Sequence, residues 1–440
     1  MTNYLFLRGN RNKYFFVDVA RVLNEQGHHC HQIKFELADL LYKTNITTVF
    51  APFKVSKKEY PISDEELLSL NIYNITYTKK VLQSKVSSKE LRTYKRYMYF
   101  IDEYINAHNI EVLCIFNGYH WTDQVAYVIA KKRGLKTFFF EDGLFRPYTI
   151  TCDAKGINAN GSVPNDPFFY DALEIDKNRL DNYLFKPENE KLKKMILKES
   201  LLSVATTKAI NMLGTLLKVT PKLYSHITWW QAIKYFIFKT TFKYKKQDNF
   251  ELPKEYVFLP FQVARDTQIF YNSPHIKQMS TLLDLVYNSI NKYNKESGRN
   301  IKVIVKEHPE DISRNNYKQL KEKYKNNKNV VFLRKFNVQE LINNALLITT
   351  INSTVGIEAI AKHKKVITLG DALYNIDGVA THCSDPDEFE NVVKRVLKSN
   401  VNVNRIDKFL YYLRFSYQIE GSIKARNYVT SENVAKRISN

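Results

Sequence analysis

Three short polar motifs, each following an apolar run, carry the chemistry this chain can do. Glu141-Asp142-Gly143 follows TFFF, Lys306-Glu307-His308-Pro309 follows IKVIV, and Asn352-Ser353-Thr354, with Gly356, follows ALLITTI. Carboxylates, an imidazole and hydroxyls are thereby expected at strand ends, where open α/β sheets bind ligands. Such a set predicts an enzyme acting on a phosphate-bearing donor.

Each motif has two readings. Asn352 to Glu358 sits where a strand hands over to a helix; free N–H groups and two hydroxyls there form an anion site, or a plain N-cap. Pro309 fixes the backbone just after His308, which suits an imidazole aimed at a leaving phosphate, although a lone histidine is more often a surface or satisfied core residue. Glu141 and Asp142 read as two carboxylates on a tight turn. One would take a proton from an acceptor hydroxyl and the other orient it, or the pair is a turn with a capping acid. Arg146, just downstream, is spaced to pair with either acid or to fork a substrate carboxylate. In Gln262-Val263-Ala264-Arg265-Asp266, Asp266 reads as a cleft-facing carboxylate or as a helix N-cap. Arg8-Gly9-Asn10 closes the first strand; no complete GxGxxG is present, so a dinucleotide fingerprint is absent.

The elements that position these residues alternate between strand and helix. The opening NYLFLRG is a strand, followed by a helix over 15–26 and a strand over 31–35. A helix over 79–107, a strand over 111–116, a helix over 121–133 and a strand over 136–140 come next. A long ordered loop over 144–167, rich in Pro, Gly and Asn, follows. A second α/β unit has strands over 256–260, 302–306, 330–333, 346–351 and 365–369, separated by helices over 280–294, 317–325 and 338–344 and one running to His363. The expected class is α/β, with two doubly wound Rossmann-like domains facing a cleft. The division is an acceptor-side domain over 1–180, a basic and aromatic helical region over 181–250, a nucleotide-sugar domain over 251–400, and C-terminal helices over 401–440 that pack back on the first domain.

At 440 residues two domains are the natural prior, and 44% hydrophobic content excludes global disorder. No apolar run reaches the length of a spanning helix, and YLFLRG is too short for a secretory signal, so a cytosolic chain is expected. Cys30, Cys114, Cys152 and Cys383 form no CxxC pair and are expected to be reduced and structural, with no metal site. The formal net charge of +21 favours anionic partners. Between Glu190 and Asp248 there are twelve lysines against three acids, interleaved with Trp229, Trp230, Tyr235, Phe236, Phe238, Phe242 and Tyr244. That pattern fits an interfacial membrane contact as well as it fits a solvated helical linker. The basic residues form no recognisable RNA or DNA module, so no nucleic-acid partner is expected.

In order along the chain, YLFLRG, FFEDGLFRPYTIT, GINANGSVPNDPFFY, FLPFQVARDTQIFYNSP, KEHP, TTINSTVGIEAI, TLGDALYNIDGVATH and SYQIEGSI resemble the capsule polysaccharide synthesis family. The similarity is to its KpsS/KpsC-type retaining β-Kdo glycosyltransferases, the KpsS-like branch above all. Leu144 stands where such proteins more often have Tyr, and Glu307 where they more often have a second His. The resemblance implies a GT-B-like pair of domains and metal-independent, cofactor-free transfer of Kdo from CMP-Kdo to a lyso-phosphatidylglycerol-type acceptor. It implies a location at the cytoplasmic face of the inner membrane, with other capsule assembly proteins as further partners.

By motif position Asp266 matches the nucleophile, and Glu141 or Asp142 the acid/base group. His308, Pro309, Lys306, Asn352, Ser353, Thr354, Gly356 and Glu358 match the donor side. Arg146, Gln262, Gly143, Arg8 and Gly9 match substrate contacts. Two other readings are weighed beside it. One is an inverting sialyltransferase-like enzyme with Asp142 as general base. The other is a non-catalytic factor that binds a capsule glycolipid for export.

Overall fold

The computed structural model describes residues 1–7, 13–42, 44, 46–194, 201–223, 229–242, 246–311, 315, 317–424 and 426–439. Arg8 and Gly9 lie outside the described residues, as do parts of the basic segment. The strands are β1 (Asn3–Leu7), β2 (His29–Lys34), β3 (Thr47–Phe50), β4 (Val112–Phe116), β5 (Lys136–Asp142), β6 (Thr149–Asp153), β7 (Tyr256–Pro260), β8 (Lys302–Lys306), β9 (Val330–Leu333), β10 (Leu347–Thr350), β11 (Val366–Thr368), β12 (Thr381–His382) and β13 (Ile419–Glu420). Two compact units result. The first comprises Met1–Ser162, Asn178–His226 and Leu413–Asn440; the second comprises Val163–Lys177 and Ile227–Tyr412. The basic segment is thus divided between them, and the last 28 residues belong to the first unit.

In the first unit the sheet order is β13-β6-β5-β4-β1-β2-β3. β1 to β5 are parallel, and β6 and β13 add antiparallel strands at one edge. A parallel sheet covered on both faces needs near-continuous apolar strands, which is what NYLFL and VLCIF supply. Phe15, Phe16, Val19, Ala20, Val22 and Leu23 recur at helical spacing on Lys13–Glu25 and seal one face together with Tyr4, Phe6 and Phe140. The C-terminal helix Tyr428–Ser439 adds Val434, Ala435 and Ile438 to the same core.

In the second unit the order is β12-β11-β10-β7-β8-β9, parallel throughout. Numbered within the unit this is 6-5-4-1-2-3, the doubly wound order in which the chain reverses direction between its first and fourth strands. The helix Met279–Ser297 lays Leu282, Leu283, Val286 and Ile290 on the sheet and stops at Gly298, whose φ of +70° suits a left-handed C-cap. Both units are therefore doubly wound α/β, as the motif pattern leads one to expect.

Three expectations are corrected. The helix expected over 79–107 is two helices, Tyr73–Lys80 and Ser88–Ala107. Ser87 restarts the second by accepting the Glu90 N–H at 3.2 Å, a capping signal that overrides the apolar periodicity. The loop expected over 144–167 contains β6, whose β-branched Thr149, Ile150 and Thr151 pair with β5. Glu141 and Asp142 consequently end β5, opposite Thr151 and Ile150, instead of sitting on a turn. Consecutive strand residues point to opposite faces, so the two carboxylates do not share one.

Gly143 makes this hairpin feasible. Its N–H donates to Thr149 O at 2.9 Å, and a Cβ there would overlap the Thr149 backbone. Gly143→Ala is expected to destabilise the first unit by about 3 kcal/mol, since overpacking against backbone cannot relax by a rotamer change. Chemical denaturation checks this.

Candidate functional site

The candidate edge of the second unit is the carboxyl end of three adjacent strands, β10, β7 and β8. The chain reverses between β7 and β10, the switch point at which doubly wound sheets leave a crevice. Gln262, two residues beyond β7, spans it. Its Oε1 accepts the Asn352 N–H at 3.0 Å and the Thr350 hydroxyl at 3.3 Å, and its Nε2 donates to Asn352 Oδ1 at 2.9 Å. Asn352 Nδ2 in turn donates to the carbonyls of Gln268 (3.2 Å) and Asn272 (2.9 Å). Gln262 and Asn352 thus use their polar groups on each other and on backbone; they hold the edge in shape.

Asp266 lies on the loop from β7. Its Oδ1 accepts the Gln268 N–H at 2.9 Å and the Thr267 hydroxyl at 3.1 Å, so it is the N-cap of the helix Thr267–Asn272. Among the described residues Oδ2 has no hydrogen-bond partner. One oxygen fixes the carboxylate and the other is left for chemistry, so capping and a chemical role are compatible at this residue.

His308 follows β8 in a turn closed by the Asp311 N–H on His308 O at 2.9 Å, with Pro309 at the second position, where its fixed φ fits. His308 Nδ1 accepts the Glu310 N–H at 3.2 Å. That bond assigns the ring proton to Nε2, leaving a neutral N–H donor. Burial depresses the His308 pKa and the Lys306 charge adds to this, against the opposing charges of Glu310, Asp311 and Asp266. Lys306 is buried and donates to the carbonyls of Glu307 (3.2 Å) and Arg334 (3.3 Å); burial lowers its pKa too. Glu307 is fully buried between Lys321 and Arg334 and makes an internal ion cluster.

After β10, Ser353 Oγ accepts the Val355 N–H at 3.2 Å, while the exposed Thr354 hydroxyl caps nothing in the helix Val355–Ile360. Tyr374 lies against the start of that helix and donates to Ser353 O at 2.6 Å. Gly356 makes room for it, because a Cβ there would stand 2.5 Å from Tyr374 Cζ. Glu358 accepts from Gln339 Nε2 at 2.6 Å on the neighbouring helix Val338–Asn344.

In the first unit the corresponding edge carries Glu141. Asn117, at the end of β4, donates from Nδ2 to Glu141 Oε2 at 2.5 Å, and the Asp142 N–H donates to Oε1 at 3.2 Å. Burial raises the Glu141 pKa above its ordinary value; the Asn117 bond opposes this, the Asp142 charge adds to it, and the Asp142 N–H and Arg146 oppose it. Arg146 is exposed, with Nε donating to Gly143 O at 3.1 Å. Sequence reading missed Asn117, Gln268, Asn272 and Tyr374 as parts of these edges. The Asn117-Gly118 pair after a strand was the available signal for the first.

The capsule polysaccharide biosynthesis protein family matches residues 111–422 of this sequence. The chain belongs to that family. The match begins at the residue before β4 and runs past β13, so it takes in Glu141, Asp266, His308 and Ser353. Protein FixF of Sinorhizobium fredii is 29% identical over 65% of this chain and 55% of its own. The capsule polysaccharide export protein KpsS of Escherichia coli is 27% identical over 57% of this chain and 64% of its own. The chain therefore spans less than two thirds of the length of either relative. The solved structure of Thermosulfurimonas dismutans KpsC, beta Kdo 2,7 transferase, is 16% identical, covers 87% of this chain and 97% of its own, and has a TM-score of 0.37, too low to bear on activity.

The His308 environment sets a pH dependence for this family member. With its folded pKa below the ordinary value, the unfolded chain binds the proton more readily, so stability rises with pH across that window. The contribution is complete above pH about 6.5 and is lost as pH falls below it. Denaturation midpoints at pH 5.5 and 7.5 are expected to differ less in His308→Gln than in wild type.

Proposed function

We propose that this chain is a capsule polysaccharide glycosyltransferase that moves Kdo from CMP-Kdo to a (lyso)phosphatidylglycerol-type lipid acceptor, with retention, by two displacements. The observation that carries this reading is the gathering of Asp266, His308 and the Ser353–Thr354 hydroxyls at the carboxyl ends of β7, β8 and β10, around the reversal point of a doubly wound sheet. A CMP-activated sugar needs one nucleophile and donors to its phosphate, and these side chains are of those types.

In the first displacement the Asp266 carboxylate bonds to the anomeric carbon. The bond from that carbon to the phosphate oxygen breaks, and its electron pair leaves with CMP. The His308 Nε2–H and the two hydroxyls would stabilise the phosphate charge, which is all a good leaving group requires. In the second, the acceptor oxygen bonds to the anomeric carbon and frees the Asp266 carboxylate, while the hydroxyl proton passes to Glu141 or Asp142.

A lipid acceptor calls for contact with a bilayer surface. Leu202, Leu213 and Leu216 on the helix Leu201–Leu216, with Leu217 beyond it, are exposed, as are Leu40 and Leu41 on the turn Leu37–Leu41, against which that helix docks through Asn211 and the Ala38 N–H. Residues 201–223 contain three lysines and no acid. Lys208 lies on the helix and Lys218 and Lys222 follow it, so exposed leucines and a net positive charge are offered together to anionic lipid. Among the described residues no helix is long and apolar enough to cross a membrane.

Incubation with CMP-Kdo and lyso-phosphatidylglycerol, followed by mass spectrometry, is expected to show CMP release together with an acceptor heavier by one Kdo. Asp266→Ala should lower that rate about a thousandfold or more while CMP binding persists. A wild-type rate in Asp266→Ala would sink the double displacement. Co-sedimentation should show binding to phosphatidylglycerol vesicles but not to phosphatidylcholine vesicles, weakened by salt and by Leu216→Glu with Leu217→Glu. Equal binding to both vesicles would contradict the charge component.

A further inference from the structure

Asn117 lies one residue beyond β4 with φ at +69°, and Gly118 follows at +86°. In the left-handed region glycine is free of strain, whereas asparagine is only tolerated. The backbone there needs no side chain: the Asn117 N–H donates to Phe140 O at 2.8 Å, extending the β4–β5 ladder by one residue. Beyond it, Gln124 Nε2 donates to Gly118 O at 2.5 Å, and a Cβ on Gly118 would stand 2.9 Å from the Phe139 ring, so the loop is fixed from both sides. On this rigid turn the carboxamide has one described contact, Glu141 Oε2. The mildly strained residue is thus explained by what its side chain reaches.

We propose that Asn117 is a positioning residue for glycosyl transfer, holding the Glu141 carboxyl in a single rotamer so that Glu141, and not Asp142, takes the acceptor proton. This rests on the transferase reading above. With Oε2 on Asn117 and Oε1 on the Asp142 N–H, each oxygen keeps a second lone pair, and one of these receives the proton as the acceptor oxygen bonds to the sugar. The charged groups that bear on Glu141 are Asp142 and Arg146. The bond from Asn117 stabilises the ionised carboxylate against its burial and so favours the form that accepts a proton.

Asn117→Gly separates position from fold, because it suits the backbone and removes only the donor. In the full-length chain its thermal midpoint is expected to stay within a few degrees of wild type. Its kcat should fall about tenfold or more with donor KM little changed, and the pH limb that Glu141→Gln abolishes should move to higher pH. A pH–rate profile superimposable on wild type would overturn the proposal. Carboxyl 13C NMR of glutamate-labelled protein reads the same contact without turnover. The Glu141 resonance, assigned by its loss in Glu141→Gln, is expected to titrate at higher pH in Asn117→Gly. An unmoved titration would overturn the positioning role even if the chain transfers sugar. A wild-type chain inert with every donor would overturn the transferase reading, while the NMR comparison still decides whether Asn117 governs Glu141.

Discussion

The pairing of Gln262 with Asn352 is the constraint on which the functional edge of the second unit depends. Two neighbouring parallel strands, β7 and β10, leave their loops in opposite directions, and without a tie the crevice between them has no defined width. Gln262 supplies the tie by bonding the β10 exit with both ends of its carboxamide, and Asn352 passes the connection on to the helix Thr267–Asn272. Each such bond contributes only about 1 kcal/mol net, but an unmet buried amide costs about 1–3 kcal/mol. The arrangement is therefore cooperative: losing one partner strands the other. Asp266 and Ser353, which emerge from the tied segments, inherit their positions from it.

The first unit uses the same kind of tie for a different end. There too a carboxamide at a strand end, Asn117, reaches the neighbouring strand, but its partner is the ionisable Glu141 instead of a second amide. In the second unit both members are consumed in holding shape. In the first, one member retains chemistry, and the amide modulates it. Burial raises the Glu141 carboxyl and Asn117 resists that rise. A carboxylate left to burial alone would drift toward the neutral acid and lose its capacity to accept a proton.

Most of the fold was legible because parallel strands covered on both faces must be continuously apolar, so LFL, VLCIF, YVFLP, KVIVK and LITT stand out against their surroundings. Helix Trp121–Lys132 and strands β8 and β9 follow from the same contrast. β6 escaped because its TITCD run lies among Pro147, Gly156 and Asn158, whose turn chemistry dominates the window. The break before Ser88 escaped because apolar periodicity runs on through a capping serine. At the candidate edges, the residue types were readable but their division of labour was not. Gln262 and Asn352 read as ligand contacts, yet a sequence cannot show that two amides 90 residues apart satisfy each other. Asp266 read as either a cap or a cleft-facing carboxylate; the geometry makes it a cap with one oxygen to spare.

The claim that the carboxyl edge of β10, β7 and β8 holds the nucleotide of the donor is tested most directly by hydrogen–deuterium exchange with and without CMP. The account predicts slowed exchange confined to peptides covering residues 262–268, 306–311 and 350–356. Slowed exchange confined to the first unit, or none at saturating CMP, would contradict it.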